Sequence, residues 1–206
     1  MRLLRSIILS ATMLVPFTAL ACEMPQSAGR EDLYGHTSSR SGIDGLNANF
    51  RDSVAAMMDA AATEMGGSMN IYSGYRSIEH QQRLWDEAAT RYPDPEERDN
   101  WVARPGGSMH QYGLATDMRW NGQRIEYGSP ISDWMSANMG KFGLTRPLGN
   151  EGWHVEPVGG RANKDAYLAG ASMECNEAFS DNILSIPPIV LMPWQEEYSG
   201  YRGGGA

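Results

Sequence analysis

Two short segments carry imidazole and carboxylate groups that only folding can bring together. Residues 108–117 read Ser-Met-His-Gln-Tyr-Gly-Leu-Ala-Thr-Asp, and residues 151–154 read Glu-Gly-Trp-His. Two imidazoles and one carboxylate suit a zinc ion that keeps its fourth position for water. The other carboxylate, just before the last imidazole, suits a base that accepts a proton from that water. The chain must therefore fold so that these two segments meet.

The first segment is predicted to end in a β-hairpin. Residues 114–120 alternate between the two faces of a strand, Asn-Gly at 121–122 is a preferred two-residue turn, and residues 123–127 return as the partner strand. A later strand over residues 153–158 begins near the second segment, and we expect it beside the hairpin. Ligands from adjacent elements of a sheet would give a rigid metal site.

Helical patterns surround this predicted sheet. Apolar side chains recur at spacings of three and four, and capping residues or breakers stand at the ends of the runs. The predicted helices cover residues 46–65, 77–92, 95–102 and 130–142, and a short strand covers residues 68–73. This order predicts an α+β domain, a small antiparallel sheet with helices packed on it and the zinc site on the sheet.

The N-terminus has the features of a secretory signal peptide. Residues 1–21 combine a basic head, a short apolar run and a small-x-small cleavage signal. Cleavage would leave Cys22 as the first residue, and Cys175 is the only other cysteine. Either the two cysteines form a disulfide in an oxidising compartment, or Cys22 carries a lipid anchor. The even cysteine count favours the disulfide, and Ala19 matches a lipoprotein signal poorly.

Charge and hydropathy restrict the partners. The chain has a formal net charge of −8 with its basic residues dispersed, which gives no electrostatic footprint for nucleic acid. Beyond the signal peptide, no apolar run approaches the ~20 residues that span a bilayer, so no transmembrane segment is expected in the mature chain. We expect an exported protein, periplasmic or secreted, and its oligomeric state stays open.

The chain is predicted to contain one main domain with two flanking segments. After the signal peptide at 1–21, residues 22–45 are rich in Ser, Gly and charge and are predicted to be an irregular lead-in. The domain covers residues 46–160. Residues 161–206 form an extension with a proline-interrupted apolar arm and a flexible glycine-rich end.

The motifs resemble those of a known group of enzymes. Ser-x-His-x-x-Gly-x-Ala-x-Asp followed by Glu-x-Trp-His is similar to the LAS-type zinc peptidases, named for lysostaphin, D-Ala-D-Ala metallopeptidases and sonic hedgehog. Within that group the chain most resembles the D-alanyl-D-alanine carboxypeptidase branch. Ser-Gly-Tyr-Arg-Ser at residues 73–77 matches a third motif of this branch. The resemblance covers residues 46–160.

The resemblance implies a metal site and a base. His110, Asp117 and His154 match the ligands of one zinc ion per chain, and Glu151 matches the catalytic base. Gly152 departs from the group, in which proline is common here, and is expected to loosen the backbone between base and ligand.

The resemblance also implies groups that act on the substrate. Arg76 matches an arginine that steadies the substrate carbonyl and the oxyanion formed from it. An arginine between a tyrosine and a serine is also compatible with a structural ion pair, but its place in the third motif favours the active-site role. Ser108 and Gln81 match positions that bind substrate. Glu156 lies two positions after His154, on the same side of a strand, and is expected to contact that ligand.

The predicted function is that of an exported zinc-dependent peptidase. The resemblance implies that its substrate is a peptidoglycan stem peptide ending in D-Ala-D-Ala, from which it removes the terminal D-Ala. Ligand residues do not separate this activity from peptidoglycan endopeptidase cleavage of a stem peptide or cross-bridge. A non-catalytic zinc-containing module that binds the cell envelope is a further alternative.

Overall fold

The computed structural model describes residues 30–171 of the chain. The helices within this range are α1 Arg30–Leu33, α2 Arg40–Asp44, α3 Ala48–Met65, α4 Ile78–Ala88, α5 Pro95–Asp99, α6 Pro130–Asn138 and α7 Lys164–Leu168. Short 3-10 helices cover Tyr34–His36, Met109–Tyr112 and Met139–Phe142. The strands are β1 Met69–Ser73, β2 Thr116–Trp120, β3 Gln123–Arg124, β4 Leu144–Thr145 and β5 His154–Pro157.

Several sequence predictions fall outside this range. The signal peptide at residues 1–21, both cysteines, Cys22 and Cys175, and residues 172–206 of the extension lie outside the described residues. Within residues 30–171, no helix combines the length and the hydropathy that a membrane span requires.

The five described strands form one antiparallel sheet. Its order is β1-β2-β5-β4, and β3 also pairs with β2. β5 pairs with Thr116 and Asp117, whereas β3 pairs with Arg119 and Trp120, so the two follow one another along the same edge of β2. The predicted α+β class with a small antiparallel sheet is confirmed. The later strand lies beside the hairpin, as the sequence predicted.

Helix α3 supplies the main apolar surface that covers the sheet. The Asn47 side chain caps its first turn by accepting a hydrogen bond from the Phe50 backbone, and Gly66 ends it in the left-handed conformation. Its inward residues share nearly complete burial: Phe50, Val54, Met57 and Ala61. Burying Phe50, Val54 and Met57 contributes roughly 1.5–3 kcal/mol each, so the predicted helix pattern describes the core as far as Ala61, whereas Met65 at its end is exposed.

The hairpin turn forms as predicted, but its second strand is shorter. Asn121 and Gly122 have φ of 50° and 78°, which a tight two-residue turn of this kind requires. Pairing ends at Arg124 instead of continuing to Tyr127. The backbone at residues 125–127 instead lies against Gly152, whose position leaves no space for a side chain. A contact distant in sequence therefore ends the ladder.

Helices α4 and α5 end earlier than predicted. The α4 helix stops at Ala88, not at Tyr92, and α5 stops at Asp99, not at residue 102. The Arg98 side chain is buried at this corner and donates hydrogen bonds to the carbonyls of Tyr92 (2.9 Å) and Pro93 (3.0 Å). These bonds hold the connection between the two helices.

Both flanking segments begin to pack on the domain. The predicted irregular lead-in contains α1, α2 and one 3-10 helix within its described part, and it buries Leu33 and Ile43 in the core. At the other end, α7 buries Tyr167, and the Asn47 side chain donates a 2.9 Å hydrogen bond to its carbonyl. Tertiary contacts with the core explain the order that local composition did not show.

Two glycines with positive φ allow a matched test of packing beside the site. Gly113 (φ 67°) follows the 3-10 helix that carries His110, and a Cβ there would lie 2.3 Å from the Gly45 carbonyl oxygen. Gly122 (φ 78°) has open space around its Cβ position. We expect Gly122→Ala to lower the free energy of unfolding by about 1 kcal/mol and Gly113→Ala by about 3 kcal/mol, because only the second adds overpacking to backbone strain. Urea unfolding measures both, and equal losses would contradict the close approach.

Candidate active site

Three side chains from separate elements converge at one end of the sheet. His110 lies on the 3-10 helix Met109–Tyr112, Asp117 on β2 and His154 at the start of β5. Asp117 Oδ1 lies 3.4 Å from His110 Nε2 and 3.0 Å from His154 Nδ1. One ligand atom from each residue lies within 4.8 Å of the others, and all three side chains are buried. The structure brings together the three residues that the motifs predicted as zinc ligands.

The second nitrogen of each imidazole has a partner of its own. His110 Nδ1 lies 2.7 Å from the Gly74 carbonyl oxygen, which can only accept, so Nδ1 donates and Nε2 faces Asp117. His154 Nε2 lies 2.9 Å from Glu156 Oε1, as the sequence predicted for this neighbour. Such partners fix ring orientation, which is how metal-binding histidines are held in proteins.

Arg161 extends the support of His154. Its Nη2 donates a 2.7 Å hydrogen bond to Glu156 Oε1, and its Nε bonds the other oxygen at 3.2 Å. Sequence reasoning missed Arg161, which falls just beyond the predicted domain end at residue 160. Its spacing from Glu156 matches no strand or helix face, so no local signal identifies it.

Glu151 stands beside the three convergent side chains. Its Oε2 lies 3.8 Å from His154 Nδ1, and the side chain is 25% exposed. The His154 backbone N–H donates to the Glu151 carbonyl at 3.1 Å, so the two residues share one turn. Burial raises the pKa of Glu151 above its ordinary value, against the attraction of His154. A carboxylate with a raised pKa is suited to accept and return a proton near neutral pH.

Gly152 is more firmly held than the sequence suggested. The residue is buried, and a Cβ on it would lie 2.9 Å from both the Ile125 carbonyl oxygen and the Tyr127 nitrogen. Its carbonyl accepts a 3.1 Å hydrogen bond from Arg146 Nη1. The expected looseness between Glu151 and His154 is therefore wrong, because packing and hydrogen bonding restrict the glycine.

Arg76 points its guanidinium group into the same site. Its Nη2 donates a 2.5 Å hydrogen bond to Asp117 Oδ2, and its Nε donates to Ser73 Oγ at 2.9 Å. The Arg76 backbone N–H also donates to the His110 carbonyl at 3.1 Å. The predicted ion-pair and active-site interpretations thus coincide, since the partner is one of the convergent carboxylates.

Burial and pairing set the charges. Burial opposes ionisation of Asp117, but the two imidazoles hold its pKa well below the ordinary range. Burial also opposes protonation of His154, yet hydrogen bonds to Asp117 and Glu156 raise its pKa to about 9. For His110, burial outweighs the attraction of Asp117 and lowers the pKa. At neutral pH the site therefore holds a neutral His110, an ionised Asp117 and a protonated His154.

A cleft of about 350 Å³ opens onto these groups. Ser108 and Gln81, the predicted substrate-binding residues, both line it and are both largely buried. Gln81 Nε2 donates a 2.8 Å hydrogen bond to the Ala103 carbonyl, which fixes the amide orientation. Trp153 and Arg161 complete the wall near His154. The arrangement places an acid–base group, a guanidinium and a metal-competent cluster at the floor of a peptide-sized cleft.

Comparison with known proteins identifies the family. The family model described as "VanY: D-alanyl-D-alanine carboxypeptidase" matches residues 44–159. A D-alanyl-D-alanine carboxypeptidase of Enterococcus faecalis is 32% identical over 136 residues, 57% of this chain and 50% of the relative. The putative carboxypeptidase YodJ of Bacillus subtilis is 33% identical over 128 residues, 55% of this chain and 46% of the relative. The chain thus spans about half the length of these curated relatives.

The chain is also similar to solved structures. A mutant of the vancomycin-resistance D,D-pentapeptidase VanY in complex with Zn(II) is 29% identical, with a TM-score of 0.48 over 63% of this chain and 82% of that one. The LD-carboxypeptidase LdcB is 27% identical, with a TM-score of 0.49 over 63% of this chain and 66% of that one. The family match covers more than half of the sequence, and it confirms the branch that the motifs predicted. The chain belongs to the VanY D-alanyl-D-alanine carboxypeptidase family.

Proposed function

We propose that this protein is an exported zinc-dependent peptidase that removes the terminal D-Ala from peptidoglycan stem peptides. One observation carries the proposal: the Glu151 carboxylate lies 3.8 Å from the metal-facing nitrogen of His154, beside Asp117 and His110. A purely structural metal site has no need of such a base. The family description, which names a D-alanyl-D-alanine carboxypeptidase, supports the substrate.

The donor set fits zinc. His110 Nε2, His154 Nδ1 and an oxygen of Asp117 are three ligands of the kind that catalytic zinc sites use, which leaves one position open. Gly74 and Glu156 already hold the outward nitrogens of the two imidazoles. When bound there, zinc supplies a Lewis acid that polarises the peptide carbonyl and acidifies water.

The residues around this position divide the remaining work. Glu151 accepts a proton from the attacking water at its carboxylate and later delivers it to the departing amine of D-Ala. Arg76, held by Ser73 and beside Asp117, brings a fixed positive charge to the oxygen that becomes negative during attack. The cleft walls at Ser108 and Gln81 bind the peptide so that its last bond lies over these groups.

The first prediction concerns the reaction and its base. With zinc, the protein should convert a pentapeptide ending in D-Ala-D-Ala into the tetrapeptide and free D-Ala, as identified by mass. Glu151→Gln should keep one zinc per chain but lose about 10²–10⁴ in kcat, because the proton acceptor is gone. Glu126→Gln is the matched control, since that carboxylate is exposed and pairs with Arg124 away from the cleft.

The same assay separates the alternatives. Cleavage at an internal bond of the stem peptide or cross-bridge would show that the activity is that of an endopeptidase and not of a carboxypeptidase. Zinc uptake without hydrolysis of any peptidoglycan fragment would favour the envelope-binding module. His154→Ala should lose both zinc and activity, because it removes a ligand with its supporting hydrogen bonds.

The second prediction concerns Arg76. We expect Arg76→Ala to bind zinc and to lose about 10²–10³ in kcat, which is typical when one oxyanion-stabilising donor is removed. Arg76→Lys should recover only part of this loss, because an ammonium cannot keep the two hydrogen bonds to Ser73 and Asp117 at once. Full activity in Arg76→Ala would show that Arg76 has only a structural role. Steady-state kinetics with zinc analysis on the same samples provides the measurement.

The third prediction concerns protons released on zinc binding. The pKa of His154 is about 9 without metal, so below pH 9 this imidazole must lose a proton before it can bind zinc, whereas His110 is already neutral. In Glu151→Gln at pH 7, about one proton should leave His154 per zinc, and zinc affinity should rise about tenfold per pH unit. Calorimetry in buffers of different ionisation heat measures the release. Heats that do not depend on the buffer would contradict a protonated His154.

A further inference from the structure

A half-buried arginine outside the cleft reaches the loop that carries Glu151. Arg146 follows β4, and its guanidinium lies between helix α6 and the loop at residues 146–153. On the helix side, Nη1 donates to Ser132 Oγ (2.8 Å), and Nη2 donates to the Ser132 carbonyl (2.9 Å) and to Ser136 Oγ. On the loop side, Nη1 donates to the Gly152 carbonyl at 3.1 Å. One side chain therefore ties the residue after Glu151 to a helix.

A tyrosine holds the other side of the same loop. Tyr127 donates a 2.7 Å hydrogen bond from its hydroxyl to the Leu148 carbonyl, and the Arg146 guanidinium lies over its ring at 4.7 Å from the centroid. The Glu151 backbone N–H donates to the same Leu148 carbonyl at 3.3 Å. Arg146 and Tyr127 thus contact each other and fix the backbone on both sides of Glu151.

We propose that Arg146, with Tyr127 stacked against it, is a positioning residue that holds the loop of Glu151 so that the carboxylate stays aimed at the reacting water. The inference rests on the proposed function, in which Glu151 is the base. It adds a part that lies outside the cleft, since neither Arg146 nor Tyr127 lines it.

The action is mechanical, because the named hydrogen bonds of Arg146 all go to neutral oxygens of Ser132, Ser136 and Gly152. The charged groups that act on Glu151 itself are His154, Asp117, Arg76 and Arg161. Gly152, next to the base, can adopt more backbone conformations than other residues, and such motion would displace Glu151. The planar guanidinium of Arg146 restricts this motion with several hydrogen bonds of defined geometry.

The test compares the zinc-loaded full chain with three variants in the pentapeptide assay. Arg146→Ala should lower kcat about 10²-fold, because a displacement of the base by about 1 Å costs that much, while KM and zinc content stay unchanged. Arg146→Lys should remain impaired, since one ammonium cannot make the forked set of bonds. Arg119→Ala is the matched control: its guanidinium also lies over a tyrosine, Tyr72, at 3.9 Å, but on another part of the sheet, and its kcat should not change.

Rescue provides a measurement that general destabilisation would not give. Millimolar guanidinium should restore kcat of Arg146→Ala in a saturable way and leave Arg119→Ala and wild type unchanged. Wild-type kcat in Arg146→Ala, or a loss of zinc or a rise in KM in place of the kcat loss, would overturn the proposal. If Arg146→Ala does not fold, Tyr127→Phe is the deciding variant, because it removes only the hydrogen bond to Leu148. A lower kcat at constant KM in this variant supports the proposal, and an unchanged kcat overturns it. Absence of turnover in the wild type would instead refute the proposed function.

Discussion

The antiparallel pairing of Asp117 on β2 with His154 on β5 is the contact on which the site depends. Residues paired in this way lie on one face of the sheet with their Cβ atoms about 4.5–5.5 Å apart. A slip of one residue would turn one of them to the opposite face. Thr116 and Val155, the neighbouring pair, are completely buried, so the core fixes the register. Packing that stabilises the fold therefore also sets the distance between two candidate ligands.

Burial makes this small group of charges interdependent. An ionised Asp117 in the interior is costly unless it is paired and hydrogen-bonded, and here Arg76 satisfies one of its oxygens and the protonated His154 the other. The proton on His154 supplies part of the positive charge that a metal ion would bring. Glu156 stabilises that proton from the opposite side of the ring. A cation bound between His110, Asp117 and His154 would therefore take the place of the positive charge that the His154 proton now supplies.

Local signals were sufficient for the long helices and for the hairpin turn, whereas α1, α2, β4 and α7 depend on contacts with the core. Gly66 and the Asn-Gly turn at 121–122 stop or reverse the chain through their own backbone preferences, so the sequence predicts them. Arg98 holds the short connection between α4 and α5 by hydrogen bonds to the carbonyls of Tyr92 and Pro93, and no spacing in the sequence indicates these bonds. In the site, the two motifs predicted the candidate ligands and Glu151, and the structure brings these residues together. The sequence did not predict the roles of Arg161 and Arg146. Arg161 contacts the Glu156 carboxylate and Arg146 the Gly152 carbonyl, and neither pair has the spacing of a helix or strand face.

The position of Glu151, the proposed base, depends on backbone order more than on contacts of its own carboxylate. Gly152 has no room for a Cβ in this chain, because the backbone of residues 125–127 lies against it. This close approach brings Glu151 next to β2 and β5 but places the most flexible residue type beside the base. Arg146 offsets that freedom from outside the cleft, where it neither blocks substrate nor changes the charge around Glu151. Precision of the base thus comes from a residue that does not line the cleft.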